Sequence, residues 1–163
     1  MLMRTAAAFA LLVLVSACQA PPPEMTDSQR AEIENAVSDA ATAQQNDWIA
    51  QEDMDTYISH HSAWGLGVWP GVNSLDDLRT QQTTNWERWD YEQTGPLVEW
   101  EAQVLAPTVA AVRSSFQLTR TDTTPDAVDP VRVFDVDQAQ VWVLEGAGWK
   151  LLVAKEKWTR ANQ

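Results

Sequence analysis

An α+β domain is the fold class this sequence predicts, and three observations predict it. Apolar residues recur at helical spacing through the first half of the chain, then switch to a period of two through the second half. The chain has 163 residues, 45% of them hydrophobic, which suits one domain with a substantial core. No internal repeat and no composition break marks a second domain, and helices followed by antiparallel strands are the α+β order.

Residues 1–17 read as a targeting leader outside the fold. Arg4 supplies the basic start, and Ala6 to Val15 form an apolar run. That run is about ten residues long, against the roughly twenty a membrane-spanning helix needs. It ends in Val15-Ser16-Ala17-Cys18, an aliphatic and two small residues before the only cysteine. This pattern resembles the bacterial lipobox. The resemblance implies cleavage before Cys18, lipid attachment at Cys18, and a membrane partner held through several acyl chains. Gln19, standing where an Asp often retains enterobacterial lipoproteins in the inner membrane, favours the outer membrane and a periplasm-facing domain in the cell envelope. Residues 18–25 then form the acylated terminus and a tether stiffened by Pro21, Pro22 and Pro23.

The domain itself is expected over residues 26–160. Thr26 with Gln29 has the form of a capping box, and Ile33, Val37, Ala40, Ala41 and Trp48 follow at helical spacing, with Glu32, Glu34, Asp39 and Gln45 between them. Asp53 caps a second, short helix through Tyr57 and Ile58. His60 to Val72, with Gly65, Gly67, Pro70 and Gly71, reads as a short strand leading into a loop. Ser74 and Asp77 open a third helix, with Leu75, Leu78, Gln82, Trp86 and Trp89 on one stripe and Gly95-Pro96 as its stop.

From there the period is two. Val98, Trp100, Ala102 and Val104 share one face, and Pro107 breaks the run. Thr108 to Arg120 places Ala110, Val112, Ser114, Phe116 and Leu118 together. A polar loop spans Thr121 to Pro130, and Val131 to Leu144 pairs with Trp149 to Trp158 across Glu145-Gly146-Ala147-Gly148.

Charge and composition exclude several functions. Lys and Arg number 11 against 23 Asp and Glu, a net charge of -12, so a nucleic-acid partner is not expected. Loss of Arg4 with the leader makes the mature chain one unit more acidic, which keeps the domain clear of anionic headgroups. A single cysteine excludes an internal disulfide and four-cysteine metal sites, and neither cofactor nor metal is expected.

Three helices followed by a long antiparallel sheet resemble the nuclear-transport-factor-2-like, or SnoaL-like, superfamily. The local matches are Trp48-Ile49-Ala50-Gln51-Glu52-Asp53 and the ending Val141-Trp142 through Gly148-Trp149-Lys150-Leu151-Leu152. The resemblance implies a curved sheet wrapping the long helix into a cone with a central cavity. Among its members are ketosteroid isomerase, cyclases and dehydratases. Aligned from Asp53, the isomerase base position holds Trp69, before Pro70, and the oxyanion-donating tyrosine position holds Gln45. Both chemical groups are therefore absent, and the sequence leans away from catalysis.

Candidate site residues follow. His60 and Tyr57, three apart, are the catalytic candidates for a cyclase, lyase or isomerase, with a buried carboxylate as a further option; His60 as a helix-end cap is the competing reading. Adjacency sends His60 and His61 to opposite sides, against a shared metal. Tyr57, Trp64, Trp69, Trp86 and Arg113 are the candidate ligand contacts, with the indoles lining an apolar mouth. Arg113 has a second reading, as a partner of Glu99 or Glu101, and Lys155 and Lys157 are either an anion-attracting rim or a solvated face. The preferred function is binding of a small, partly apolar molecule or a protein partner without catalysis. A homodimer through the sheet is the third possibility.

Overall fold

The computed structural model describes residues 24–66, 70–94 and 100–161. The leader, the tether as far as residue 23, Trp69, the expected Gly95-Pro96 stop, Val98 and Glu99 lie outside them.

Helix α1, Asp27–Ala50, starts at the expected capping box: the Gln29 amide donates to Thr26 Oγ1 and the Thr26 amide to Gln29 Oε1. It ends where Gln51 turns left-handed at φ 55° and returns its N–H to Asp47. One face buries Val37 and Ala41, but also Gln44 and Gln45. The chemistry of Gln45 suits the polar side; its position, four residues past Ala41, puts it on the buried side. Asp53 caps α2, Met54–Ser59, by accepting from the Asp55 and Thr56 amides.

Residues 60–66 differ from the expected strand. Their only ladder contact is an isolated parallel bridge, His61 opposite Leu151. The Leu151 amide donates to His60 O at 2.7 Å, and the Ser62 amide donates to Leu151 O at 2.9 Å. Turns at residues 63–65 end the pairing there.

Helix α3, Leu75–Arg88, is capped by Ser74 and stops earlier than Gly95-Pro96 predicts. Trp89–Gln93 is strand β1 instead, with Trp89, Tyr91 and Gln93 facing inward between exposed Asp90 and Glu92. The Trp89 stripe position and the period-two pattern compete here. Pairing with residues 118–122 decides for the strand, because it satisfies backbone groups that a solvated helix end leaves open.

Strands β2 (Glu101–Ala106), β3 (Val109–Asp122), β4 (Val131–Glu145) and β5 (Gly148–Arg160) complete an antiparallel sheet. Its order is β1-β3-β4-β5, and β2 pairs with β3 beyond the β1 segment. Register shifts at Val104/Ala106 and Val141/Trp142 bend it around α1. Gly146, at φ 62°, turns the last hairpin where expected. The inner face buries Ala110, Val112, Phe116, Leu118, Val136 and Trp142 against α1, as the period-two reading of β3 requires. A second cluster, Tyr57, Ile58, Leu66, Val72 and Leu78, joins α2 to α3. Among the described residues no helix is long and apolar enough to cross a membrane.

Candidate functional site

Inside the curve of the sheet lies a cavity of about 200 Å³. Its helical wall carries Gln44, Gln45 and Trp48 from α1, Tyr57 from α2, and Gln82 and Asn85 from α3. The sheet contributes Trp89, Tyr91, Arg120, Gln138, Leu151, Ala154, Glu156 and Trp158. Both walls follow from spacing. Gln44, Gln45 and Trp48 continue the buried face begun by Val37 and Ala41, and Arg120 follows Phe116 and Leu118 on the inner face of β3.

Polar groups on this wall are held unevenly. The Tyr57 hydroxyl is hydrogen-bonded to the Gln44 side chain, and burial keeps its pKa above that of an ordinary phenol. Glu156 accepts from Gln138 Nε2 at 2.7 Å on one oxygen and from Trp158 Nε1 at 2.9 Å on the other. Tyr91 is likewise raised, chiefly by burial, and its ring lies 4.6 Å from that of Trp48. By contrast Gln44 Oε1, Gln45 Nε2 and Arg120 Nε are buried with no hydrogen-bond partner. The Arg120 guanidinium sits 4.1 Å from the Trp89 ring centroid, 5.0 Å from Phe134 and 5.7 Å from Trp158. Unpaired buried polar groups of this kind cost about 1–3 kcal/mol each until something bonds to them.

A long capped helix inside a bent antiparallel sheet matches known structures. A ketosteroid isomerase-like protein from Erwinia carotovora atroseptica SCRI1043 superposes with a TM-score of 0.61 at 17% identity, over 77% of this chain and 95% of that one. The fold is nuclear transport factor 2-like. A nuclear transport factor 2-like superfamily protein from Salmonella enterica subsp. enterica serovar Typhimurium str. LT2 gives 0.60 at 9% identity, covering 78% and 92%. A type 2 hexachlorocyclohexane dehydrochlorinase gives 0.58 at 10%, covering 84% and 94%. No family model matches the sequence, and no curated protein does.

Of the expected site residues, Tyr57 faces the cavity of this nuclear transport factor 2-like cone. So does Gln45, at the position aligned with the isomerase tyrosine. Trp86 stands behind the wall, its ring 5.6 Å from that of Tyr57. Trp64 does not line it: its side chain is 87% exposed on the turn after α2. Arg113 points from the outer face of β3, directly opposite Glu101, so the cavity cation is Arg120 instead. Lys155 and Lys157 share that outer face with Asp137 and Arg113 around a shallow groove, Lys157 opposite Asp137 and Lys155 opposite Ala139. The groove holds Glu101 too, but across β3 and β4 from the lysines.

Of the two histidines, the neighbour of the candidate His60 is the one that stands beside Tyr57. His60 stands at the C-cap of α2, where the helix-end reading puts it, outside the cavity lining, with Nε2 2.6 Å from Asp47 Oδ2 of α1. His61 is the one beside Tyr57, with ring centroids 4.8 Å apart and Nδ1 3.1 Å from Tyr57 O. Sequence reasoning missed Trp89, Arg120, Gln138, Glu156 and Trp158. Strand parity carried part of the signal, since Arg120 shares the face of Phe116 and Leu118, and Gln138, Glu156 and Trp158 follow from the pairing of β4 with β3 and β5.

Burial pushes His61 down to about 4 from its usual 6.5. The unfolded chain therefore takes up a proton near pH 6.5 that the folded one refuses until about 4. Stability is full above pH 6.5 and declines as pH falls through that window, by about 3 kcal/mol in all. Asp122 works in a lower window. Its carboxylate, bonded by Thr124 and then Arg88, is held at about 2, so its contribution disappears only below the ordinary aspartate range. Denaturation midpoints measured from pH 7.5 to 4 should show the His61 slope in the parent and a flatter profile in His61→Gln. Equal slopes would overturn the assignment.

Proposed function

We propose that this protein is a lipoprotein of the bacterial envelope whose cone binds a small, partly apolar molecule without transforming it. The observation that carries the reading is the cavity wall: indole and phenol faces beside Gln44 Oε1, Gln45 Nε2 and Arg120 Nε, all buried and unpartnered. A ligand supplying bonds to those atoms recovers their desolvation cost, while Trp48, Trp89 and Trp158 bury its apolar part. Volume limits its size. An apolar cavity of about 150 Å³ holds benzene, so about 200 Å³ suits one ring with a substituent rather than a fused-ring compound.

Placement agrees with a tether at Cys18. Gln44 lies 17 residues along α1 from Asp27, about 26 Å at the helical rise, so the cavity stands away from the end where the tether enters. Palmitate labelling is expected in the parent and absent in Cys18→Ser. Native mass spectrometry of gently purified protein should show an adduct of a few hundred daltons or less, displaced under denaturing conditions. Bare protein that also ignores a library of one-ring compounds at millimolar concentration would overturn the binding reading.

A second reading rests on Glu156 and Tyr57 facing one cavity. Glu156 would accept a proton from a carbon acid, and Tyr57, kept protonated by burial, would bond the oxygen where charge develops. Turnover of a candidate enolisable substrate that falls at least a hundredfold in both Glu156→Gln and Tyr57→Phe supports this lyase or isomerase reading. Turnover surviving both rejects it.

A further inference from the structure

The cavity wall carries one cation, Arg120, and one carboxylate, Glu156, and the two form no ion pair. Arg120 projects from the inner face of β3, with Tyr91 opposite it on β1 and Arg132 opposite it on β4. Directly opposed like charges repel in a sheet unless each is neutralised. Arg132 is neutralised: its Nε donates to Asp129 O at 3.2 Å and lies 3.9 Å from Asp129 Oδ2, and Asp129 also takes Arg160 at 2.5 Å. Arg120 has no carboxylate within 4.0 Å among the described residues.

What holds Arg120 is aromatic. Trp89, Phe134 and Trp158 present ring faces to its guanidinium and fix its plane without using its N–H donors. Nε is buried and unpartnered, and Gln45 Nε2 is a second buried donor in want of an acceptor on the same cavity wall. Glu156 does not fill this role, because its two oxygens are engaged by Gln138 and Trp158 and it stands at the solvent-exposed mouth. A planar cation set on rings at the cavity wall, its Nε without a partner, matches a carboxylate.

We propose that the cavity ligand is a monocarboxylate on a single ring, its carboxylate against Arg120 and its ring among Trp48, Trp89 and Trp158. This rests on the small-molecule reading above and adds the ligand's charge and its orientation. Glu156 at the mouth repels a second negative charge, which restricts the class to monoanions.

Benzoate and its neutral analogue benzamide are the probes, titrated against the full chain in detergent and followed by tryptophan fluorescence and calorimetry. In the parent protein benzoate should bind at least tenfold more tightly than benzamide, the ratio expected for a charge-assisted bond in a cavity. Terephthalate, with a second carboxylate, should bind more weakly than benzoate. In Arg120→Gln the preference for benzoate over benzamide should shrink to within about twofold. The comparison of probes in the parent does not depend on any variant folding. Equal binding of benzoate and benzamide, or a benzoate preference that survives Arg120→Gln, overturns the carboxylate assignment and leaves the binding reading standing. Failure of both probes, together with a bare protein in native mass spectrometry, removes the binding reading itself.

Discussion

Trp142→Ala is expected to lower the free energy of unfolding by about 3–5 kcal/mol, the usual range for deleting a buried tryptophan. Trp142 is 0% exposed and lies between α1 and the inner sheet, in one cluster with Val37, Ala41, Ala110, Val112 and Leu151. Removing the indole opens a cavity that helix and sheet cannot both close, because the bulge at Val141/Trp142 fixes the strand there. The change also strips Gln140 of a partner. Trp142 Nε1 donates to Gln140 Oε1 at 2.8 Å, and Gln140 is 2% exposed, so its carbonyl oxygen is left without water or donor. Urea unfolding should show a lower midpoint at unchanged slope. Trp64→Ala, on an exposed turn, is the control and should stay within about 0.5 kcal/mol of the parent. A loss below about 1 kcal/mol in Trp142→Ala would remove it from the centre of the core.

Gly65→Ala should be comparably damaging through a different mechanism. A β-carbon built on Gly65 falls 1.5 Å from the Leu152 carbonyl oxygen and 2.5 Å from its carbon, both backbone atoms of β5. No rotamer change relieves such an overlap, so the turn must lift from the strand. Lifting breaks the Ser62 amide bond to Leu151 O, the Ser62 hydroxyl bond to Glu145 and the burial of Leu66. Two hydrogen bonds, one of them part-buried, and one buried leucine together represent about 3–5 kcal/mol. His61 and the α2 end that carries Tyr57 are joined to the same turn, so Gly65→Ala should also weaken binding in the cavity. Gly148→Ala, with open space around its position, is the matched control. Parity between the two variants in denaturation midpoint would show that the turn does not seat on β5 as described.

Much of the fold was legible because the signals were local. Thr26 with Gln29, Asp53, and Ser74 with Asp77 specify three helix starts through hydrogen bonds to the next turn, and all three form. Pro107 and Gly146 end strands for equally local reasons. Misreadings arose where a distant partner arbitrates. Trp89 satisfies both the helical stripe and the alternation of β1, and only pairing with Asp122 chooses between them. Residues 60–66 carry strand-like composition, yet meet one strand edge at a single bridge and turn away at Gly65.

The candidate site divides along the same line. By itself the sequence determined the α+β class, the helix starts, the hairpin and which residues of β3 share a face, because each depends on spacing along one segment. It also singled out Tyr57 and the absence of the isomerase tyrosine at Gln45. Only the tertiary structure decided that His61 rather than His60 stands beside Tyr57, that Arg120 rather than Arg113 is the cavity cation, and that Trp48, Trp89 and Trp158 are the indoles around it. A cavity is made by residues far apart in the chain, and which of two adjacent side chains enters it depends on strand register and helix rotation. Those are fixed by packing across the whole core, where a shift of one residue reverses every inward and outward assignment.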